Sequence, residues 1–126
     1  IVARWFDGGS QQRAEFSLGE LRQRLLVETP GQKIAYVVDT LFSRGNVAQI
    51  IELARDADLF FCESPFLDED REQGLKRYHL TARQAGTVAA MAGVKRLSVF
   101  HFSPKYKGME ELLQREVREA FQEKTP

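Results

Sequence analysis

The sequence predicts an α/β fold, a largely parallel sheet covered by helices, and three observations carry that prediction. Short apolar runs at Ile34–Val38, Leu59–Cys62 and Val94–Phe100 have the length and the β-branched or aromatic content of interior strands. Segments with apolar residues at helical spacing follow each of them. The resulting order, strand then helix three times over, is the one that right-handed crossovers convert into parallel neighbours with helices packed on the sheet.

Residues 1–31 are the least regular part. Ile1–Phe6 reads as a short strand, Asp7-Gly8-Gly9-Ser10 as a turn and Leu18–Val27 as a short helix, closed by Thr29-Pro30-Gly31. Ile34–Val38 then reads as a strand buried on both faces, ending at Asp39-Thr40. Asn46, with Gln49 three residues on, predicts the N-cap of a helix over about 47–56, with Val47, Ile50, Ile51 and Ala54 on one face. Leu59–Cys62 is the second strand and ends at Glu63-Ser64-Pro65. Thr81 with Gln84 forms a capping-box pattern ahead of a helix whose buried stripe is Ala85, Val88, Ala89 and Ala92, and Gly93 stops it. The third strand, Val94–Phe100, ends at His101. Met109, Leu112, Leu113, Val117, Ala120 and Phe121 make the apolar face of a last covering helix.

Composition limits what such a domain can do. The 126 residues carry 18 Lys plus Arg against 18 Asp plus Glu, so no global field draws the chain to nucleic acid and any such partner is held by a local patch. One Cys permits no internal disulfide framework and makes a reducing cytoplasmic setting the default. The longest apolar runs are too short to span a bilayer. Two His give few metal ligands. The start at Ile1, with neither Met nor a signal-like leader, raises the expectation that the chain is part of something longer.

In parallel sheets, ligands gather outside the carboxyl ends of the strands, and here those ends carry Asp39, Glu63 and His101. Each also has a plainer role open to it. Asp39 can cap a turn, Glu63 can be a solvated loop residue beside Pro65, and His101 can be a hydrogen-bonded interior histidine. Asp and His together suit a divalent ion such as zinc, yet a catalytic zinc needs about three protein ligands, which this chain does not readily supply; Cys62, inside an apolar strand, reads as a small buried hydrophobe. His79, in a polar loop ahead of the Thr81-capped helix, suits proton transfer, since imidazoles exchange protons near neutral pH and a carboxylate such as Glu63 would orient one. A solvent-exposed loop histidine is the other reading.

Four motifs in succession add to this. Val37-Val38-Asp39-Thr40, Ala57-Asp58-Leu59 through Glu63, His79-Leu80-Thr81-Ala82-Arg83-Gln84-Ala85, and Val94-Lys95-Arg96-Leu97 through His101-Phe102-Ser103-Pro104-Lys105-Tyr106 together resemble the C-terminal half of ribonuclease Z-like proteins of the metallo-β-lactamase superfamily, over about residues 32–122. The resemblance implies a four-layer αββα sandwich of which residues 1–126 are the C-terminal part of one domain, with 1–31 as a lead-in segment. It implies that Asp39 bridges two zinc ions, that His101 ligates one of them, that His79 donates a proton to the leaving oxygen and that Glu63 orients His79. It also implies substrate contacts at Ser103, Lys105 and Tyr106. The implied activity is zinc-dependent hydrolysis of phosphodiesters such as the 3′ extension of precursor tRNA, in the cytoplasm, by a homodimer with no membrane partner.

The departures shape the expectation. His-x-His-x-Asp-His and a further histidine, which complete the family's metal set, would precede Ile1, so this chain alone is expected to be inactive and to pair with a missing N-terminal half. Cys62-Glu63-Ser64-Pro65 stands where ribonuclease Z reads His-Glu-Ala-Thr, and His79-Leu80-Thr81 where it reads His-Ser-Thr. A related hydrolase of small phosphodiesters or other esters, or a noncatalytic α/β interaction domain, are the alternatives. Lys95, Arg96, Lys105 and Lys107 bracket His101 in sequence and are expected near phosphates, whereas Glu63, Asp68, Glu69, Asp70 and Glu72 form an opposing acidic stretch. Half a sandwich is expected to expose an apolar sheet face.

Overall fold

Gly8 and Gly9, at φ +54° and +84°, form a two-residue turn that returns the first strand, β1 (Val2–Asp7), as β2 (Ser10–Glu15). Both central residues of such a turn need positive φ, which glycine adopts without steric cost. Pairing runs antiparallel from Asp7↔Ser10 to Val2↔Glu15. The segment expected to be irregular is therefore a regular hairpin. The Ser-Gln-Gln-Arg-Ala-Glu sequence of β2 carries no strand signal, and its partner supplies the ladder instead. Helix α1 (Leu18–Leu25) follows, with the Ser17 hydroxyl accepting from the Glu20 N–H at 3.1 Å, and it ends two residues short of the predicted Val27. The computed structural model describes residues 1–123, so the last three residues of the expected 1–126 domain lie outside the described residues. Residues 1–31 form one compact unit and the chain from Gln32 onward forms a second.

The second unit contains the predicted alternation. Strands β3 (Ile34–Val37), β4 (Leu59–Glu63) and β5 (Leu97–Phe100) form a parallel sheet in the order β3-β4-β5, in the registers Ile34↔Leu59 and Phe60↔Leu97. Helix α2 (Arg44–Ala54) connects β3 to β4. Between β4 and β5 come a 3₁₀ turn over Asp68–Asp70, a short helix α3 (Arg71–Lys76) and helix α4 (Ala82–Met91). A 3₁₀ turn over Pro104–Tyr106 leads into α5 (Glu110–Gln122), which packs on α4. Among the described residues no helix is long and apolar enough to cross a membrane.

The core lies between the sheet and α2 and α4. Ala35, Val37, Phe60 and Cys62 point into it from the strands and meet Ile50 and Ala54 of α2 and Ala85, Val88 and Ala89 of α4. A second cluster, with Phe66, Tyr106, Leu113 and Val117, seats α5. Burying a side chain such as Phe60 or Leu113 contributes about 1.5–3 kcal/mol, enough that these few positions fix where the strand ends lie.

Several sequence expectations need correction. β3 is not buried on both faces: Ala35 and Val37 are buried, whereas Ile34 and Tyr36 are 61% and 58% exposed, because helices cover only the opposite face of this strand. Tyr36 instead stacks on Phe100, with ring centroids 4.9 Å apart, on the open face. The N-cap of α2 is Ser43, whose hydroxyl accepts from the Asn46 N–H; Asn46 sits one turn in and donates its side-chain amide to Thr40 Oγ1 and the Leu41 carbonyl. β5 starts at Leu97, not Val94, since the Lys95 N–H is drawn to the Ala57 carbonyl and its ammonium to Asp58 at 2.7 Å. Lys95 and Arg96 thus stand at the sheet edge opposite His101, removed from the strand ends where phosphates were expected.

Candidate active site

The carboxyl ends of the three parallel strands bring Asp39, Glu63 and His101 together, and the loop between α3 and α4 adds His79. One ligand atom from each of these four side chains lies within 4.8 Å of the others, a group able to hold a metal ion. The grouping is the one expected from sequence. It follows from the parallel register, which aligns the ends of strands far apart in the chain.

Glu63 is the centre of the arrangement. Its side chain is completely buried, which excludes the solvated-loop reading. Oε2 accepts from the Asp39 N–H at 2.8 Å and lies 2.9 Å from His79 Nδ1 and 3.3 Å from His101 Nδ1. Oε1 accepts from the N–H groups of Thr40 at 3.2 Å and Leu80 at 3.0 Å. A buried carboxylate is tolerated when its lone pairs are filled by donors, and here they are. The three backbone donors are invisible in the sequence, because main-chain groups carry no residue signature.

That saturation defines the roles of the neighbours. Each imidazole presents Nδ1 to Glu63, which fixes the proton there and leaves Nε2 for a metal, a substrate or a proton transfer. The two rings pack edge to face, with centroids 4.9 Å apart. The His79 side chain is 19% exposed, so it is not a freely solvated loop histidine. The Asp39 carboxylate points outward, its Oδ1 3.6 Å from His79 Nδ1 and 3.8 Å from His101 Nδ1. Asp39 and His101 both adopt the left-handed backbone conformation, at φ 53° and 64°. For non-glycine residues this costs about 1–3 kcal/mol, a strain that concentrates at functional sites. Nothing in the sequence announces it beyond the tolerance of Asp and His for that region.

The loop bearing His79 is held from both sides. Its N–H donates to the Gly74 carbonyl at 2.9 Å, and the predicted capping box follows directly, with Gln84 Oε1 accepting from the Thr81 N–H and Thr81 Oγ1 from the Gln84 N–H. The Thr81 hydroxyl in turn donates to Asp68 at 2.9 Å, a partner that sequence reading missed. His79 therefore sits on a fixed helix start.

The remaining expected site residues lie just after His101. The Ser103 hydroxyl caps the turn that follows, accepting from the Lys105 N–H. The Lys105 ammonium lies 2.5 Å from Asp70, and the buried Tyr106 donates its hydroxyl to the same carboxylate. Burial first, and then the hydrogen bond to Asp70, push the Tyr106 hydroxyl up to about 12, while Lys105 and Tyr106 hold Asp70 below the usual carboxylate range. Cys62 is buried, and its thiol is pushed up to about 12 by desolvation, in keeping with a packing role.

The donor chemistry can be tested against a metal. Asp39 offers carboxylate oxygens with no protein donor on them among the described residues, and His101 offers an imidazole oriented through its second nitrogen, the arrangement typical of a metal-ligating histidine. Both suit zinc. Glu63 does not suit direct ligation, because its oxygens already accept main-chain hydrogen bonds. Two ligands are fewer than a catalytic zinc needs, so a working shell takes others from outside these residues.

No protein-family model matches the chain. It is 44% identical to the Ribonuclease Z of Kineococcus radiotolerans over 110 residues, which is 84% of this chain and 32% of that protein. It is 36% identical to the Ribonuclease Z of Halorubrum lacusprofundi over 118 residues, 94% of this chain and 37% of that protein. The chain thus spans about a third of the length of the curated relatives it matches. Among solved structures, the metallo-β-lactamase fold protein YhfI of Bacillus subtilis aligns with a TM-score of 0.62 at 23% identity, over 72% of this chain and 35% of that one. The short form of human tRNase Z aligns with a TM-score of 0.53 at 30% identity, over 61% of this chain and 29% of that one. The fold is that of metallo-β-lactamase proteins, and the sequence likeness to ribonuclease Z covers most of the chain.

Proposed function

We propose that this chain, similar to ribonuclease Z over most of its length, is the site-bearing C-terminal part of a longer zinc-dependent hydrolase that cleaves phosphodiesters such as the 3′ extension of precursor tRNA. The carrying observation is the buried Glu63 carboxylate, which gathers His79, His101 and the Asp39 main chain at the sheet edge. In this reading residues 1–126 belong to one metallo-β-lactamase domain acting in the cytoplasm as a homodimer. An N-terminal half covers the open sheet face marked by Ile34 and Tyr36, an arrangement supported by their exposure.

Asp39 would bridge two zinc ions and His101 would ligate one of them. Zinc bound there supplies the Lewis acidity that generates hydroxide from water near neutral pH and draws charge from the phosphoryl oxygens. The chain's own residues do the rest. Glu63 holds the Nδ1 proton of His79 and aims Nε2 at the leaving oxygen, so that the proton arrives as the P–O bond breaks. Ser103 and Lys105 contact substrate, Lys105 by exchanging Asp70 for phosphate, and Tyr106 acts through its hold on Asp70.

The sequence departures leave this reading intact. Cys62, Ser64 and Leu80 are all completely buried, so they alter packing behind the site rather than the groups that face a substrate. That favours the ribonuclease-type reading over a small-ester hydrolase, and the charge-saturated site disfavours a noncatalytic interaction domain. Kinetics of the full-length protein on precursor tRNA and on a small chromogenic phosphodiester separate the first two: a kcat/KM far higher on the tRNA is expected, and equal or reversed values contradict it. The isolated chain is expected to be inactive, and its turnover of precursor tRNA in added zinc, free of contaminating nuclease, would overturn the fragment reading.

A further inference from the structure

The place of the His79 ring depends on two chain segments that run side by side, 63–68 and 79–82. At one end Glu63 accepts from the Leu80 N–H at 3.0 Å and lies 2.9 Å from His79 Nδ1. In the middle Phe66 pairs with Thr81 in an isolated parallel bridge, and its carbonyl accepts from the Ala82 N–H at 2.7 Å. At the other end Asp68 Oδ1 accepts the Thr81 hydroxyl at 2.9 Å. Glu63 thus sets the rotation of the ring, while the Asp68 contact closes the far end of the same pairing.

The Thr81 hydroxyl carries two bonds from a completely buried position. It accepts from the Gln84 N–H at 3.3 Å, which caps α4, and its one proton goes to Asp68, its sole acceptor among the described residues. Donation to Asp68 turns the hydroxyl lone pairs towards Gln84, so the carboxylate strengthens the cap. Asp68 is itself anchored: its N–H donates to Glu116 of α5 at 3.0 Å, and its side chain is only 25% exposed. On the other side of His79 the backbone is strained, since Tyr78 stands at φ 62°, a conformation that costs a bulky residue about 1–3 kcal/mol. The histidine therefore lies between a strained residue and an anchored cap, and loosening the cap lets the strain relax through it.

We infer that Asp68 is a positioning residue for proton transfer at His79, acting through Thr81 on the start of α4. The assignment rests on the hydrolase reading for the reaction that the proton serves. Asp68 and Thr81 ligate no metal and need not touch the leaving oxygen; they hold the main chain from which the proton donor projects. Displacing such a group by about 1 Å costs on the order of a hundredfold in rate.

The test compares Asp68→Ala, Thr81→Val and their double variant with the conservative Asp68→Asn and Thr81→Ser in the full-length protein, by steady-state kinetics on precursor tRNA and by zinc content. Asp68→Ala and Thr81→Val are each expected to lower kcat about tenfold or more at unchanged KM and zinc. The double variant is expected to be no worse than the poorer single one, because both lose the same bond. Asn keeps an acceptor and Ser keeps the hydroxyl, so these two are expected to retain kcat within about twofold. Ring ¹⁵N signals add a reading that needs no turnover: in Asp68→Ala those of His79 are expected to move and those of His101, which leans on the same Glu63 from β5, to stay. Unchanged kcat, a loss confined to KM, additive losses, no rescue by Asn and Ser, or both rings disturbed alike would each overturn the proposal. If the unaltered protein does not turn over precursor tRNA, the hydrolase reading fails, and the His79 ring signals alone decide the positioning role.

Discussion

The main-chain N–H of Asp39 donates to Oε2 of Glu63 at 2.8 Å, joining the end of one strand to a buried charge at the end of the next. This bond and its partner from Thr40 bend the chain into the left-handed turn at Asp39 and leave the Asp39 carboxylate facing outward. One buried carboxylate therefore shapes the metal-facing residue and orients both histidines. In Glu63→Gln the amide end of the side chain would meet N–H donors that need acceptors. A loss of about 2–3 kcal/mol is expected, read as a lower urea midpoint at unchanged m-value, together with altered ring signals of His79 and His101.

Helix α4 meets α5 at Gly86 without room for a methyl group. A Cβ there would lie 2.5 Å from the Val117 carbonyl oxygen and 2.8 Å from Ala120 Cβ. Gly86→Ala gains helix propensity yet forces the helices apart, and a net destabilisation of about 1–3 kcal/mol is expected from overpacking. Thermal unfolding measures it, and an equal or higher Tm would show that the two helices separate freely.

Cys62 is buried beneath α4, with its thiol pushed up to about 12. A disulfide reagent at pH 8 is expected to leave it unmodified in the native chain and to react stoichiometrically once the chain is unfolded in guanidinium, because thiolate and access are both missing in the fold. Rapid labelling of the native protein would contradict the packing seen here.

Asp70 and Tyr106 give stability a defined pH response. Tyr106 has its folded value raised to about 12 from 10.0, so its contribution is fully present below about 10 and is lost as the pH rises towards 12. Asp70 is depressed in the fold, so its contribution is present above the ordinary carboxylate range and is lost as the pH falls through its lower folded value. Tyr106→Phe is expected to flatten the alkaline limb of a stability-against-pH curve. It is also expected to lower stability at pH 7 by about 1 kcal/mol for the lost hydrogen bond.

The candidate site was legible in the sequence because its residues sit where apolar runs stop: Asp39, Glu63 and His101 each follow a strand, and His79 precedes a capping box that the structure contains as read. What escaped was whatever depends on main-chain direction or on polar segments. The β2 strand is Ser, Gln and Arg and forms only because Gly8-Gly9 returns the chain. Ser43 caps α2 because Asn46 is engaged by Thr40 and Leu41, a tertiary preference that local pattern does not contain. Helix α3 carries almost no apolar stripe and was missed for that reason. The bond from Thr81 to Asp68 joins two segments whose proximity no local spacing reveals.

The division of labour between the two histidines is the centre of the account, since both rings lean on the same Glu63 oxygen and only one is assigned to metal. Zinc content of the full-length protein, measured side by side for His79→Ala, Asp39→Ala and His101→Ala, tests it most directly. His79→Ala is expected to keep its zinc while losing turnover, and Asp39→Ala and His101→Ala are expected to lose zinc. Zinc lost from His79→Ala, or retained in full by the other two, would contradict the assignment.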